Sequence, residues 1–392
     1  MTSSCLARPE VELLLHCARA QVEPERAERI ADLAHQPLDW GYLMRLAGRN
    51  EVTSLLYWHL ARICRDALPE AVLAELRDRF EANARNSLML TADLLEVLAL
   101  LEASGIAAIP LKGPVFASSL YGNLALREFV DLDILVRRQD VLRAKALLGV
   151  RGYAPRVSLT PAQDDLFVDQ NCEYELFREE AGDKRLLELH WEFVPRYFAI
   201  PLDMTGLWER AGTVSLAGRS LPSLSPEDLL LVSAIHSGKH LWQSFKTAAD
   251  LAEIIRKQPS LGWDRLLDQT RALGCARVLR VSLLLAADLL DAPLPARVLD
   301  WARADSSAAA LAERSCGWML GDVVDLKLVP QHAWRLRTRE RLVDRVRYLY
   351  RIATMSTTEE YRLVALPRAL SSLYVLLRPF RLAAKYGPGL FR

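Results

Sequence analysis

The chain has few cysteines, and none is placed for a structural task. Six of them (Cys5, Cys17, Cys64, Cys172, Cys275 and Cys316) lie scattered over 392 residues, with no C-x-x-C pair. That pattern argues against a disulfide frame or a zinc site and predicts reduced thiols in a cytoplasmic protein. No run of about twenty residues is free of charge, which argues against a spanning helix. The first twenty residues carry Arg8, Glu10, Glu12 and Arg19 among their leucines. A secretory leader needs an uninterrupted apolar stretch there, so none is expected. Internal repeats and low-complexity linkers are also missing. A bulk excess of positive charge is lacking, since the formal net charge is +1, so general nucleic-acid binding by the body is not expected.

The length allows two or three domains, each with its own core. Up to Leu101 the apolar residues recur at three-four spacing, in segments 10–22, 25–33, 40–46, 55–63, 71–80 and 88–101. This predicts an N-terminal helical domain over 1–101. After Gly105 the texture changes. Ile106–Leu111 is a short apolar run closed by Lys112-Gly113-Pro114, and Val115–Tyr121 reads as a helix. Phe129–Val136 reads as a buried strand, Gln139–Leu148 as a helix, and Glu173–Phe177 and Leu186–Trp191 as two further strands. A small α/β unit over 102–200 follows from that order. Ser225-Pro226 opens a return to helices, with Ser225 as the N-cap. The remainder divides into a helical domain over 201–325 and a basic helical region over 326–392. The fold class expected is α+β: a small mixed-sheet core flanked by helical regions on both sides in the chain.

Asp131 and Asp133 carry the chemistry. Side chains two apart in a strand share a face, so both carboxylates project together. Such a pair suits Mg²⁺, which takes oxygen ligands and keeps a nucleotide's phosphates as partners. Leaving two buried like charges without a cation would be costly. Gly113 ends a strand and Pro114 suits the first helical position, so the backbone there can approach a phosphate. Lys112 offers a mobile ammonium beside it. Arg127, four residues before Asp131, fits either a phosphate contact or a salt bridge to Asp131.

These residues resemble the bacterial nucleotidyltransferase-like family of the polymerase-β superfamily. The resemblance rests on Leu111-Lys-Gly113, Tyr121-Gly122, Ala125-Leu-Arg127 and Asp131-Leu-Asp133-Ile-Leu-Val136. Asp39-Trp40 and Ala84-Arg-Asn86 extend it on one side. Leu189-His-Trp191, His236, Lys239-His240, Trp242 and Asp250-Leu-Ala252 extend it on the other, so that it spans roughly 35–255. It implies a nucleotidyl group moved from an NTP to a hydroxyl or phosphate acceptor on a small molecule, sugar or peptide. It also implies Mg²⁺ or Mn²⁺ held by Asp131, Asp133 and a third carboxylate. Glu188 is the candidate for the third, with Glu173, Glu175 and Glu192 as alternatives. Lys112, Gly113, Arg127, Lys239 and His240 are the nucleotide-binding candidates. The superfamily's Gly-Gly or Gly-Ser is Gly113-Pro114 here, which removes one N–H donor. A non-catalytic binding protein within a biosynthetic complex is therefore the alternative function class.

His236 and His240 sit four apart, but Ser237 stands where a zinc protease needs glutamate, so zinc is not expected. The alternatives for the pair are a phosphate contact by Lys239 or His240, and packing against Trp242. Leu326–Arg392 holds 14 Lys+Arg and 4 Asp+Glu, which leaves −9 for the rest of the chain. Leu342, Val346 and Leu349 fall at helical spacing among arginines, and Leu373–Arg381 with Phe380 forms a second such stretch. Self-docking of the apolar stripe on the acidic body is the first expectation. Peripheral membrane contact through 334–381 is the second, and an acidic partner the third.

Overall fold

The computed structural model describes residues 8–180, 182–321, 328–364, 366, 370, 373–378 and 381. Helices occupy the N-terminal part: Pro9–Cys17, Pro24–Ala34, Trp40–Arg49 and Thr53–Ile63, then a 34-residue helix over Glu70–Ala103. The spacing had suggested two helices in 71–101. The intervening Glu81–Ser87 contains neither proline nor glycine, so nothing interrupts the turn. At 1.5 Å per residue this helix is about 50 Å long, enough to serve two cores. Its Leu76 packs with the N-terminal helices, whereas Leu90, Leu94, Val97, Leu98 and Leu101 pack under the sheet.

Five strands make that sheet: β1 (Ala108–Pro110), β2 (Asp131–Val136), β3 (Ala154–Pro155), β4 (Glu173–Glu180) and β5 (Asp183–His190). Their spatial order is β1-β2-β5-β4-β3. Only β2 and β5 run parallel; the other neighbouring pairs are antiparallel. The sheet is therefore mixed, and the α+β class expected from the sequence is the observed one. A separate hairpin, β6 (Gly212–Leu216) and β7 (Arg219–Ser223), escaped the sequence reading. Its turn, Ala217-Gly218, takes positive φ at both residues (49° and 77°). Such turns suit hairpins, but Ala-Gly is a weaker signal than Asn-Gly.

The pleat sorts the sheet's side chains into two environments. Leu132, Ile134 and Val136 of β2, Leu187 and Leu189 of β5, and Tyr174 and Leu176 of β4 enter one apolar core with the long helix. The alternate residues, among them Asp131, Asp133, Glu188, His190, Glu173 and Glu175, lie on the opposite face. Over that face come the helices Pro226–Lys239 and Phe245–Lys257. The Ser225 hydroxyl accepts from the Asp228 amide at 3.2 Å, as its N-cap role requires. Between these two helices Leu241 and Trp242 take φ of 60° and 50°, a conformation that strains bulky residues. Full burial of both side chains and a Trp242 Nε1 bond to Ser282 (2.8 Å) hold the turn.

All five cysteines among the described residues are buried and form no disulfide, and Cys5 lies outside those residues. No helix among the described residues is long and apolar enough to cross a membrane. Near the C-terminus, helices Leu328–Arg337 and Leu342–Thr354 and the link between them meet the body through Trp334, Arg339, Asp344 and Tyr348, all buried. The expectation that the apolar stripe would supply this contact is corrected: Leu342, Val346 and Leu349 point outward. Tyr374 of the second stretch is buried while Leu373 and Leu376 are exposed, and Phe380 lies outside the described residues.

Candidate active site

The parallel register sets Asp131 opposite Leu186, Asp133 opposite Glu188 and Leu135 opposite His190. The antiparallel register of β4 on β5 then sets Glu175 beside Glu188 and Glu173 beside His190. Three adjacent strands thus present five carboxylates and one imidazole on a single face. A cavity of about 590 Å³ opens over it, walled opposite by His236, Lys239, His240 and Lys246. That volume lies in the range of small-ligand sites.

His190 is the hub of the acidic face. Its Nε2 lies 2.9 Å from Asp133 Oδ1 and 3.3 Å from Glu188 Oε2. Nδ1 lies 3.3 Å from Glu173 Oε2, an ion-pair distance without hydrogen-bond alignment. Burial alone would favour neutral imidazole, but the bonds to Asp133 and Glu188 outweigh it and raise its pKa to about 9. Burial likewise opposes the Asp133 charge, yet Lys112 (Nζ to Oδ1 3.6 Å) and His190 hold that carboxyl well below the usual range. Asp131 has less help. Burial, Asp133 and Glu188 together push it up to about 6. Glu173, despite burial, is held down to about 2 by His190 and Lys239, whose Nζ sits 2.7 and 2.8 Å from its oxygens.

Opposite this face the histidines are neutral. Burial, then Lys112 and His240, keep His236 well below its ordinary value, and burial with Lys239 and Lys112 lowers His240 to about 4. Lys112 Nζ lies 3.0 Å from His236 Nδ1, so the neutral ring accepts a bond from the ammonium. The two rings are 4.6 Å apart, centre to centre, and both line the cavity. Lys112 itself takes φ 28°, and Gly113 follows at 41°. This left-handed kink turns the chain from β1 into the seven-residue helix Gly113–Ser119. A Cβ on Gly113 would meet Asp131 O at an ordinary 3.6 Å, so glycine serves the φ value there, not a shortage of space.

The donors fit a hard divalent ion. Ligand atoms of Asp133, Glu188 and His190, a group without Asp131, all lie within 4.8 Å of one another; of these the carboxylate oxygens suit Mg²⁺ or Mn²⁺, and His190 is the group such an ion would displace from between them. Burial first, and then the neighbouring charges of Asp133 and Glu188, drive Asp131 towards neutrality, and such an ion relieves both. Among the alternatives for the third carboxylate, Glu188 is the direct cross-strand neighbour of Asp133. Glu173 is paired with Lys239, and exposed Glu175 with Arg156 (3.3 Å). Glu192 lies past the end of β5 and lines a different cavity with Arg138 and Trp208.

Arg127 lines the cavity but pairs with Asp250 and not with Asp131, the salt-bridge partner that the sequence suggested. Its Nε and Nη2 donate to Asp250 Oδ1 and Oδ2 at 2.9 and 2.8 Å, and the Tyr121 hydroxyl donates to Oδ1 at 3.0 Å. All three side chains are buried. The motif residues Tyr121, Arg127 and Asp250 are thus one buried cluster that joins the segment before β2 to the Phe245–Lys257 helix. The sequence reading missed Lys246, whose Nζ contacts Glu51 (2.7 Å) and the Glu128 carbonyl (3.2 Å) at the cavity wall. Nothing in its local sequence marks it.

A mixed sheet with acidic residues on adjacent strands, facing a lysine-bearing cavity under flanking helices, defines the fold as α+β. Residues 36–291 match the family model described as an uncharacterised nucleotidyltransferase, and the chain belongs to that family. Membership supports nucleotidyl transfer as the general chemistry. Comparison with curated proteins finds no match. A crystal structure described as an antigenic nucleotidyltransferase-like protein from Paracoccidioides brasiliensis is similar at 17% identity and a TM-score of 0.32. The similarity covers 53% of this chain and 95% of that one.

Proposed function

We propose that this protein is a metal-dependent nucleotidyltransferase that moves a nucleotidyl group from an NTP to a hydroxyl or phosphate on a small molecule, sugar or peptide. The observation that carries the reading is the register of β2 on β5, which sets Glu188 beside Asp133 on the face that also bears Asp131. These three would hold Mg²⁺ or Mn²⁺. When bound, such an ion stabilises the attacking and leaving oxygens of an in-line displacement. The protein's own groups orient and neutralise. Lys112 leaves His236 and Asp133 to meet triphosphate oxygens, and Gly113 brings the backbone close to them. Lys239 and His240 face the same cavity from the opposite wall. The acceptor oxygen attacks the α-phosphorus, the bond to the β-phosphate oxygen breaks, and pyrophosphate departs. Glu188, which lines the cavity, takes the proton of a hydroxyl acceptor.

A second reading, a binding protein without catalysis, draws support from His190. Its imidazolium bridges Asp133 and Glu188 and so satisfies the acidic face from within. Calorimetry with Mn²⁺ and nucleoside triphosphates, followed by pyrophosphate release with candidate acceptors, separates the two. The enzyme reading expects metal-dependent nucleotide binding that Asp131→Asn with Asp133→Asn abolishes while the thermal unfolding transition persists. No metal-dependent binding by the wild-type protein would refute it and leave the binding-protein reading in place.

A further inference from the structure

The Leu342–Thr354 helix is attached to the body by one face and leaves an apolar face uncovered. Tyr348 is fully buried, and its hydroxyl meets His332 Nδ1 at 2.7 Å. Asp344, the helix's only acidic residue, is also buried. On the outer side Leu342 is 74% exposed, Val346 58% and Leu349 50%, with Val343 and Tyr350 exposed beside them. At 100° per residue these five occupy an arc of about 120°. Arg345 borders the arc on one side and Arg347 on the other, with Arg337 and Arg341 exposed just before it. Farther on, Leu363, Leu370, Leu373 and Leu376 are exposed too. Single exposed leucines are ordinary, whereas a continuous stripe of this kind marks an interaction surface.

We propose that this helix lies in the interface of an anionic membrane and attaches the protein to it peripherally. An in-plane helix needs an apolar stripe that enters the acyl boundary and basic residues at its edges that meet phosphate headgroups, and this helix has both. Charge selects lipid over the other occupants. Two copies joined through the stripe would bring their arginine borders together, a repulsive arrangement. An anionic bilayer attracts the exposed Arg337, Arg341 and Arg347 at this helix, within a segment, 326–392, whose sequence carries +10 against −9 for the rest of the chain. The charge separation also orients the protein, with the helix towards the bilayer.

Sedimentation of the full-length protein with phosphatidylcholine vesicles, with and without phosphatidylglycerol, tests this. Association is expected with the anionic vesicles, weaker at physiological than at low salt. Leu342→Gln with Val346→Gln and Leu349→Gln should reduce it by about tenfold or more at an unchanged melting temperature, because three exposed side chains leave the acyl boundary. Arg337→Gln with Arg347→Gln should cost about fivefold per arginine, on anionic vesicles only. Equal or absent pelleting on both vesicle types would overturn the proposal. So would a concentration-dependent dimer that the triple glutamine variant dissolves without any vesicle association. If pelleting emerges only after truncation before Leu382, the end of the chain covers the stripe and the proposal fails.

Discussion

Removal of the Asp250 carboxylate is expected to be among the most damaging single changes that spare the sheet. The Arg127 and Asp250 side chains are only 4% and 6% exposed and meet through two parallel bonds. Asp250→Ala breaks both, releases the Tyr121 hydroxyl and leaves a guanidinium buried without a counterion. Stranding one member of a buried pair costs about 3–5 kcal/mol. Replacing both, as in Arg127→Met with Asp250→Leu, removes the charge and its desolvation cost together, so most of the loss should return. A double-mutant cycle by equilibrium urea unfolding measures the coupling, and metal-dependent nucleotide binding by the double variant gives a second readout. A structural pair predicts a large coupling with binding retained. A single-variant cost below about 1 kcal/mol, the level of an exposed pair, would refute the burial argument. Loss of nucleotide binding in a stable double variant would return Arg127 to the phosphate role suggested by its place in the sequence.

Two further outcomes bear on the site. Lys112→Ala should weaken nucleotide binding by about 1–3 kcal/mol, the value of a charge-assisted hydrogen bond, with little change in the apo melting temperature; intact binding in a destabilised protein would make Lys112 structural. Glu188→Gln should abolish pyrophosphate release and weaken Mn²⁺ binding, whereas Glu192→Gln, in another cavity, should leave both near wild type; the reverse pattern would reassign the third carboxylate.

The candidate site was legible to different depths at different residues. Strand periodicity alone puts Asp131 and Asp133 on one face, because a two-residue repeat leaves no other choice. Ser225 was readable as a helix cap because capping is settled within three residues. The β6–β7 hairpin was not, since Ala217-Gly218 carries little of the usual turn chemistry. Glu188 could be put first, but Glu173, Glu175 and Glu192 stayed open as alternatives. Its claim rests on which strand pairs with β2 and in which register.

Relations across the chain lay beyond any local pattern. Arg127 and Asp250 are 123 positions apart, and only the docking of the Phe245–Lys257 helix brings them together. The same limit applies at the basic end. Sequence determined that Leu342, Val346 and Leu349 form one helical stripe, since spacing on a helix is local geometry. It did not determine which way the stripe points. Tyr348 and Asp344 hold the helix to the body by its other face, and that choice depends on the surface they meet. Periodicity shows that an apolar face exists, whereas what covers it is a property of the assembled molecule.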